Sequence, residues 1–390
     1  MHSRWLFFVY FVLIIVRYIT PMKKIYFTVT NDLTYDQRMI RICTSLANTG
    51  YEVWLIGRKR PNSKPFIKQA FHQKRLNCFF ERGKFFYLEY NLRLFFFLLW
   101  NRFDAVCSID LDTILAGYYS SRLKQKICIY DAHEYFTEVP EVVQRPKTKR
   151  IWEWVANRTI PKLQYAYTVC QSLQKVFQEQ YNTHFEVIRN VPFQQAELSE
   201  VLPFKAPFIL LYQGVLNDGR GLKEMIVALQ QLPKVEFWLA GEGDCSQELR
   251  TLVQELGLEK QVLFLGYVQP HELKEITKKA HLGVNLLQNK GLNYYYSLAN
   301  KFFDYIQAQK PSLNMNFPEY ATIIKEHPVG LLLEDLSPET IVNSIQIIIN
   351  NPDNYYKLQN NCLKARDIFV WEKEALKLEA FYEKVFKDNK

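Results

Sequence analysis

The sequence predicts an α/β protein with two domains, each built on a parallel sheet. The chain has 390 residues, about twice the length of a typical single domain, and 48% of them are hydrophobic, enough for two cores. In the second half, short apolar runs alternate with segments of helical periodicity across residues 208–287. Such alternation places helices on both faces of a parallel sheet, and ligands bind at the carboxyl ends of its strands.

The first unit of this alternation is a strand, a glycine-rich loop and a helix. The apolar run 208–212 predicts a buried strand, and the loop that follows contains Gly214, Gly219, Arg220 and Gly221. A backbone of this kind can approach a pyrophosphate, and an arginine at a helix N-terminus offers a bidentate fork to phosphate oxygens. Most isolated glycine-rich turns only connect elements, so this loop is suggestive when taken alone.

The alternation then continues to the end of the predicted sheet. A turn with the sequence Gly241-Glu242-Gly243 follows the next apolar run. The predicted strands are 235–240, 262–265 and 282–287, and the predicted helices are 246–256 and 270–280.

An aromatic loop at 291–297 leads into a further predicted helix. Ser297 is the expected N-cap, which places Asn300 and Lys301 in the first turn, where backbone N–H groups and the helix dipole favour an anion. Asp304 lies one turn further and can accept two hydroxyl hydrogen bonds, as a ribose would offer. Phosphate and ribose binders one turn apart indicate a nucleotide, although an ordinary capped helix with surface charges has the same pattern.

In order and spacing, these motifs resemble the C-terminal half of the family 4 glycosyltransferases. Those enzymes are retaining, use nucleotide sugars and have the GT-B fold, in which two Rossmann-like domains with parallel sheets face a central cleft. The N-terminal half resembles a bacterial envelope-polysaccharide branch through the segments 31–38, 50–53, 110–113, 130–134 and 188–192. The resemblance covers roughly Lys23 to Phe386.

The resemblance implies a set of site residues. The implied donor-binding residues are Gly214, Arg220, Gly221, Gly241, Glu242, Gly243, Tyr296, Asn300, Lys301 and Asp304. The implied catalytic residues are His133, Arg220 and Lys301, and the implied acceptor-side residues are Asp36, Arg38, Glu134 and Glu138. In retaining members the departing phosphate can take the proton of the acceptor hydroxyl, so no separate protein base is expected.

The chain departs from the family pattern at four positions. Many members carry two glutamates eight positions apart, and here those positions hold Tyr296 and Asp304. Val215 stands where many members have arginine, and Arg220 stands where lysine is usual. We therefore expect Arg220 and Lys301 to carry most of the charge that neutralises the pyrophosphate.

The predicted domain organisation has four parts. Residues 1–21 form an apolar extension outside the core, and residues 22–200 form the acceptor-side domain. Residues 201–365 form the nucleotide-sugar domain, and 366–390 form a helix that packs back toward the first domain. A linker is expected at 193–207, where glutamine, glutamate and two prolines interrupt the periodic pattern.

The apolar run at residues 5–16 has three interpretations. Its 12 residues are short of the ~20 that span a bilayer. A signal peptide would need a small-residue cleavage site after the run, and none follows. The expectations that we favour are a membrane-surface anchor or a natural start at Met22, directly before the first strand.

Cysteine and histidine spacing predict a protein without a metal site. The seven cysteines form no CxxC pair, which is typical of reduced thiols in a cytosolic protein, and the seven histidines lack metal-ligand spacing. We expect no cofactor. The nucleotide sugar, a UDP- or GDP-sugar, is expected to bind as a substrate.

Positive charge is concentrated in the N-terminal half. Residues 1–200 hold 28 Lys and Arg against 17 Asp and Glu, and residues 58–102 alone hold 11 against two, interleaved with 12 aromatic residues. Core packing explains part of this run. The rest predicts contact with an anionic membrane surface, and therefore a peripheral location on the inner face of the cytoplasmic membrane. A nucleic-acid partner is not expected, because no nucleic-acid-binding motif accompanies the charge.

The sequence thus predicts a metal-independent, retaining glycosyltransferase of the hexosyltransferase type in cell-envelope polysaccharide biosynthesis. Its expected partners are a nucleotide sugar, a glycan or lipid-linked acceptor and the membrane surface. Two alternatives stay open at this point. One is a nucleotide-sugar 2-epimerase with the same two-domain layout, and the other is an inactive membrane-associated scaffold.

Overall fold

The structure is a computed structural model that describes residues 22–34, 36–195 and 206–389. The predicted extension at 1–21 and most of the predicted linker at 193–207 lie outside the described residues.

A seven-stranded sheet is built from the first half of the chain. Its strands are β1 Lys24–Thr28, β2 Glu52–Arg58, β3 His72–Leu76, β4 Ala105–Ile109, β5 Ile127–Ala132, β6 Tyr165–Thr168 and β7 Glu186–Val187. Their order is β3-β2-β1-β4-β5-β6-β7. β1 pairs in parallel with both β2 and β4, so the first described strand lies in the interior of the sheet.

Six helices accompany these strands in the described part of the chain. They are α1 Gln37–Asn48, α2 Gly83–Trp100, α3 Leu111–Lys124, α4 Pro140–Val143, α5 Pro146–Thr159 and α6 Gln171–Tyr181. Short 3-10 turns at Phe136–Glu138 and Ile160–Lys162 complete this half.

The second half contains a six-stranded parallel sheet. Its strands are β8 Phe208–Gln213, β9 Val235–Ala240, β10 Val262–Gly266, β11 Leu282–Asn285, β12 Ser312–Met315 and β13 Gly330–Leu333, in the order β10-β9-β8-β11-β12-β13. All five strand pairs are parallel. The predicted strands of this half are confirmed, with β11 ending two residues earlier than expected.

The helices of the second half follow the predicted alternation. They are α7 Leu222–Leu229, α8 Ser246–Glu255, α9 Pro270–Lys279, α10 Leu292–Tyr295, α11 Asn300–Gln307, α12 Pro318–Glu326, α13 Pro338–Ile349, α14 Pro352–Arg366 and α15 Trp371–Lys387. The α/β class with two parallel sheets is therefore confirmed.

The chain divides into two compact units. The first contains Met1–Asp131, Val155–Ala166 and Tyr382–Lys390, described from Met22 onwards, and the second contains Ala132–Trp154 and Tyr167–Phe381. The predicted domain boundaries follow the two sheets rather than these units, and they stay predictions.

In the first unit, the end of α15 packs against the seven-stranded sheet and its loops. The ring centroid of Tyr382 lies 6.0 Å from that of Phe27 on β1. The ring of Phe386 lies 5.4 Å from that of Tyr51, directly before β2. Aromatic packing of this kind holds the last turns of the chain within the first unit.

A buried ion pair also ties the first unit together. Nη2 of Arg38 on α1 lies 2.8 Å from Oδ1 of Asp131 on β5, and both side chains are almost inaccessible to solvent. Removing one member of such a pair leaves an uncompensated buried charge, which is strongly destabilising. The pair fixes α1 to the carboxyl end of β5.

Lys310, between α11 and β12 in the second unit, is buried in a different way. Its side chain is 0% exposed, and its Nζ has no hydrogen-bond partner in the described part of the chain. Burial lowers the pKa of Lys310 from 10.5 to about 8, because an apolar environment disfavours the charged form. At neutral pH this residue therefore destabilises the fold.

We predict that Lys310→Met stabilises the protein at pH 7 by up to about 3 kcal/mol. The unfolded chain keeps this lysine charged up to pH 10.5, whereas the folded protein keeps it charged only below about pH 8. The destabilisation caused by burying Lys310 is therefore fully present below pH 8 and disappears as the pH rises to 10.5. Urea unfolding at pH 7 and pH 10 measures the gain, which should be smaller at pH 10. Lys325→Met, at an exposed lysine of α12, is the control. An equal gain in both variants, or no gain for Lys310→Met, would contradict this interpretation.

Candidate active site

The loops that follow β8 and β9 are in backbone contact. Gly214 follows β8 with φ of +134° and Gly241 follows β9 with φ of +152°, values that side chains rarely allow. A Cβ on Gly241 would lie 1.9 Å from the carbonyl oxygen of Gly214. The Gly214 N–H donates to the carbonyl oxygen of Ala240 at 3.0 Å. Glycine is therefore required where these two carboxyl-end loops meet.

Arg220 lies at the end of the first glycine loop, directly before the helix start. Gly221 is the N-cap residue of α7 and has φ of +64°. The Arg220 guanidinium lies 5.0 Å from the ring centroid of Tyr294, and its Nε makes no hydrogen bond among the described residues. Arg220 is thus held by an aromatic ring, beside the N-terminal end of α7.

Lys301 lies in the first turn of α11, beside the same loop. Its Nζ is 3.5 Å from the ring centroid of Tyr212 on β8, and it would lie 3.3 Å from a Cβ placed on Gly214. Burial and then the charge of Arg220 lower the pKa of Lys301 well below its ordinary value, while Asp304 opposes the shift. Two cations therefore repel each other beside the glycine loop. An anion bound there would offset this repulsion and would stabilise the buried positive charge.

Asp304, one turn along α11, is oriented by buried polar residues. Gln213 at the end of β8 donates from Nε2 to Oδ2 of Asp304 at 3.0 Å. Thr277 on α9 donates from Oγ1 to Oε1 of Gln213 at 2.9 Å. The sequence patterns did not indicate Gln213 or Thr277 as site residues. The position of Gln213 directly before the glycine loop is a signal that could have identified the first of them.

The predicted N-cap of α11 is wrong. The helix begins at Asn300, as expected for the site, but its N-cap residue is Ala299. The Ala299 N–H donates to the hydroxyl of buried Tyr320 at 2.9 Å, and the Ser297 hydroxyl donates to the carbonyl oxygen of Tyr294 at 2.8 Å. A tertiary contact to α12 has replaced the local cap.

The remaining predicted donor residues have other partners. Glu242 accepts from Nη2 of Arg250 at 3.0 Å in an exposed ion pair. A Cβ on Gly243 would lie 2.5 Å from Oδ1 of Asn217, so this position packs tightly against the first loop. Tyr296 follows α10, and its carbonyl oxygen accepts from Sγ of Cys170 at 3.4 Å.

The segment after β5 meets the same site within the second unit. Asn293 on α10 accepts from the Tyr135 N–H at 2.9 Å and donates from Nδ2 to Oε2 of Glu134 at 3.4 Å. Burial raises the pKa of Glu134, while His133 and Arg220 act in the opposite direction. Glu134 therefore lies within electrostatic reach of Arg220. The sequence analysis singled out this aromatic loop but missed the bridging role of Asn293.

The other predicted acceptor-side residues make structural interactions. Glu138 forms an ion pair with Lys149. Asp36 caps α1, because its Oδ1 accepts the Met39 N–H at 3.0 Å, and Arg38 forms the buried ion pair described above. The acceptor-side role of these three residues stays a prediction.

The described residues contain no group of three or more histidine, cysteine, aspartate or glutamate side chains placed to hold a metal ion. All seven cysteines are free thiols.

A family model and one curated relative support a sugar-transferring enzyme. Residues 194–365 match the model described as "Glycosyl transferases group 1". A region of 174 residues is 24% identical to EpsD of Bacillus subtilis, a protein that carries the name of a glycosyltransferase. The match covers 43% of this chain and 43% of that relative, so less than half of the relative's length is spanned.

Two solved structures share the fold over most of the chain. The sucrose-phosphate synthase of Thermosynechococcus elongatus aligns with a TM-score of 0.78 at 18% identity, covering 94% of this chain and 100% of its own. Anabaena Alr3699/HepE, in complex with UDP-glucose, aligns with a TM-score of 0.74 at 15% identity, covering 93% and 99%. At these identities the similarity shows the fold alone. It confirms that the two parallel-sheet α/β domains are similar to structures of the GT-B fold. Together, the comparisons support a glycosyltransferase of the GT-B fold.

We predict that Gln213→Leu weakens the binding of a nucleoside diphosphate by about tenfold, because Asp304 loses the donor that orients it. Calorimetric titration with UDP and GDP measures the change. Gln261→Leu is the matched control, since its Nε2 donates only to the backbone oxygens of Leu232 and Val235 in the same half of the chain. Equal affinities for Gln213→Leu and the control would show that the Asp304 orientation has no part in binding.

Proposed function

We propose that this protein is a retaining glycosyltransferase that moves a sugar from a nucleoside diphosphate sugar to a glycan or lipid-linked acceptor. The observation that carries the proposal is the pair of cations beside the glycine loop. Arg220 and Lys301 form no salt bridge with a carboxylate among the described residues, and both lie where the N-termini of α7 and α11 also favour negative charge. A diphosphate matches this arrangement.

The chemistry follows from where charge develops during the reaction. Cleavage of the bond between sugar and phosphate leaves a nucleoside diphosphate with additional negative charge, and fixed cations lower the barrier when they contact that leaving group. Arg220 and Lys301 would supply this stabilisation without a metal. The departing phosphate oxygen, on the face that the acceptor attacks, would take the proton of the acceptor hydroxyl, so the anomeric configuration is retained.

The remaining residues would position the substrate. Asp304, oriented by Gln213, would accept hydrogen bonds from the ribose hydroxyls. His133 would donate a hydrogen bond to a sugar hydroxyl, and Glu134 would orient the donor sugar or the acceptor from beside Arg220. UDP and GDP sugars are the proposed donors, and the UDP-glucose bound to the fold neighbour HepE supports the first of these.

The proposed setting is cell-envelope polysaccharide synthesis at the inner face of the cytoplasmic membrane. The excess of basic residues over 58–102 supports contact with anionic lipid, which would bring the site to a lipid-linked acceptor. The match to a glycosyl transferase model favours transfer over the epimerase alternative.

A donor screen tests the proposal. The protein is incubated with UDP-, GDP- and ADP-sugars, and melting temperatures are recorded, because a ligand that binds only the folded state raises the melting temperature. Release of the nucleoside diphosphate then identifies the donor. NMR of the transferred sugar reports whether the anomeric configuration matches that of the donor. An inverted product would overturn the retaining mechanism, and the absence of any nucleotide binding would overturn the function.

We predict that Arg220→Ala and Lys301→Ala each lower kcat/KM by about a hundredfold to a thousandfold. Both substitutions remove a cation from the leaving group, whereas the folded state loses no salt bridge. Lys223→Ala, on the first turn of α7 and paired with Glu248, is the matched control and should keep wild-type turnover. Near-wild-type kcat/KM in both site variants would contradict the assignment of the phosphate site.

We predict that turnover is unchanged by excess EDTA, because cationic side chains and helix N-termini neutralise the diphosphate. The measurement is nucleoside diphosphate release before and after chelation, with the same protein dialysed against magnesium or manganese. Loss of activity on chelation and its recovery with either metal would show that the mechanism is wrong. Asp110 and Asp112, the one Asp-x-Asp pair near a strand end in the N-terminal half, would then be the first candidate ligands.

A further inference from the structure

Helix α2 is apolar on two opposite faces. One face packs on the sheet of the first unit through Phe86, Tyr90, Leu94 and Leu98, which are buried against Tyr26, Ile56 and Val106. The other, which we call the outer face of α2, is between 45% and 80% exposed at Phe85, Leu88, Leu92, Phe96 and Trp100. At 1.5 Å per residue these five residues form a stripe about 22 Å long.

The stripe continues into the loop that precedes α2. Phe79 is 86% exposed and Phe80 is 50% exposed. The Phe80 ring lies 5.5 Å from the Phe85 ring at the start of the stripe, and the Phe96 and Trp100 rings stack at 5.4 Å at its end. Large exposed apolar patches of this kind mark interaction sites rather than ordinary surface.

The charges beside the stripe are positive. Lys84 lies 5.2 Å from the Phe85 ring centroid, and Arg93 lies 5.0 Å from that of Phe79. The one acidic residue of α2, Glu89, is already engaged. Its carboxylate accepts the N–H groups of Phe79 and Phe80 at 2.9 Å and Nε of Arg93 at 2.7 Å. The patch therefore offers aromatic and aliphatic side chains with cations at its edge.

We propose that the outer face of α2, together with Phe79 and Phe80, is the surface that docks on an anionic lipid bilayer. The apolar side chains would enter the headgroup region while the lysines and arginines contact lipid phosphates. A second copy of this chain is a poorer occupant, since 11 basic and two acidic residues over 58–102 would bring like charges together. The inference deepens the proposed function, because a lipid-linked acceptor would be presented at this surface.

The docking would be peripheral. Among the described residues, no helix has the length and apolar character needed to cross a membrane. A helix that lies along the interface instead exposes one apolar stripe and carries basic residues beside it, as α2 does.

Vesicle co-sedimentation of the full chain tests the proposal. The probes are phosphatidylcholine vesicles with and without phosphatidylglycerol, at low and high salt. The stripe variant is Leu88→Ser, Leu92→Ser and Trp100→Ser combined. The matched control is Ile347→Ser, Tyr356→Ser and Leu376→Ser, which are large side chains of the second unit with exposures between 38% and 65%. Circular dichroism checks the fold of each variant, and UDP and GDP titrations check the nucleotide site.

We expect the wild type and the control to bind only the anionic vesicles and to release them at high salt. The stripe variant should bind at least about tenfold more weakly, because three apolar side chains are no longer transferred from water into the bilayer. Unchanged vesicle binding by the stripe variant, or equal loss in the control, would overturn the proposal. A wild-type dimer in sedimentation velocity that becomes monomeric in the stripe variant, without vesicle binding by either, would assign the surface to self-association instead.

A single substitution keeps the proposal testable if the triple variant does not fold. Brominated lipid should quench the fluorescence of the wild type on binding, and Trp100→Leu should bind with similar affinity but lose part of that quenching. Identical quenching in the two proteins would contradict insertion of the stripe. Nucleotide binding separates the two proposals, since a wild type that binds UDP or GDP but no anionic vesicle contradicts the surface alone. The reverse result contradicts the proposed function alone.

Discussion

The repulsion between two cations at the edge of the six-stranded sheet is the constraint on which the site depends. Lys301 is held against the Tyr212 ring and beside Gly214, and Arg220 is held against Tyr294. Charges placed together in this way destabilise the empty protein. The close contact between Gly214 and Gly241 leaves no room for a side chain that could fill the space. A diphosphate bound beside these loops, as we propose, would offset this repulsion.

The parts of the site that depend on local sequence could be predicted. Apolar runs predicted β8, β9 and β10, and a glycine-rich turn followed by a helical pattern predicted the loop between β8 and α7, which we propose binds phosphate. The prediction that Lys301 lies in the first turn of a helix is also confirmed. The Ser297 cap was wrong, because Tyr320, 21 positions from Ala299, accepts the N–H that a local cap would have satisfied. Long-range partners leave no signal in a window of a few residues.

The same limit explains which polar residues were missed. Gln213, Thr277 and Asn293 act through contacts across 64 to 159 positions of the chain. By contrast, Asp36 and Glu138 lie in loops that resemble functional motifs, yet one caps α1 and the other pairs with Lys149. The sequence of α2 also could not show which of its two faces is buried, since apolar residues occur at helical spacing on both. Only the packing of α2 on the sheet shows which residues remain exposed.

The central claim is that unpaired cations at the glycine loop recognise a diphosphate, and calorimetric comparison of nucleotides with nucleosides tests it most directly. The full chain is titrated with UDP and uridine, and with GDP and guanosine, under identical conditions. We predict that one diphosphate binds at least about a hundredfold more tightly than its nucleoside, since each charged hydrogen bond contributes about 1.5–3 kcal/mol. We also expect this preference to weaken as salt is added. Equal affinity for a nucleoside and its diphosphate, or no binding of either diphosphate, would contradict the account.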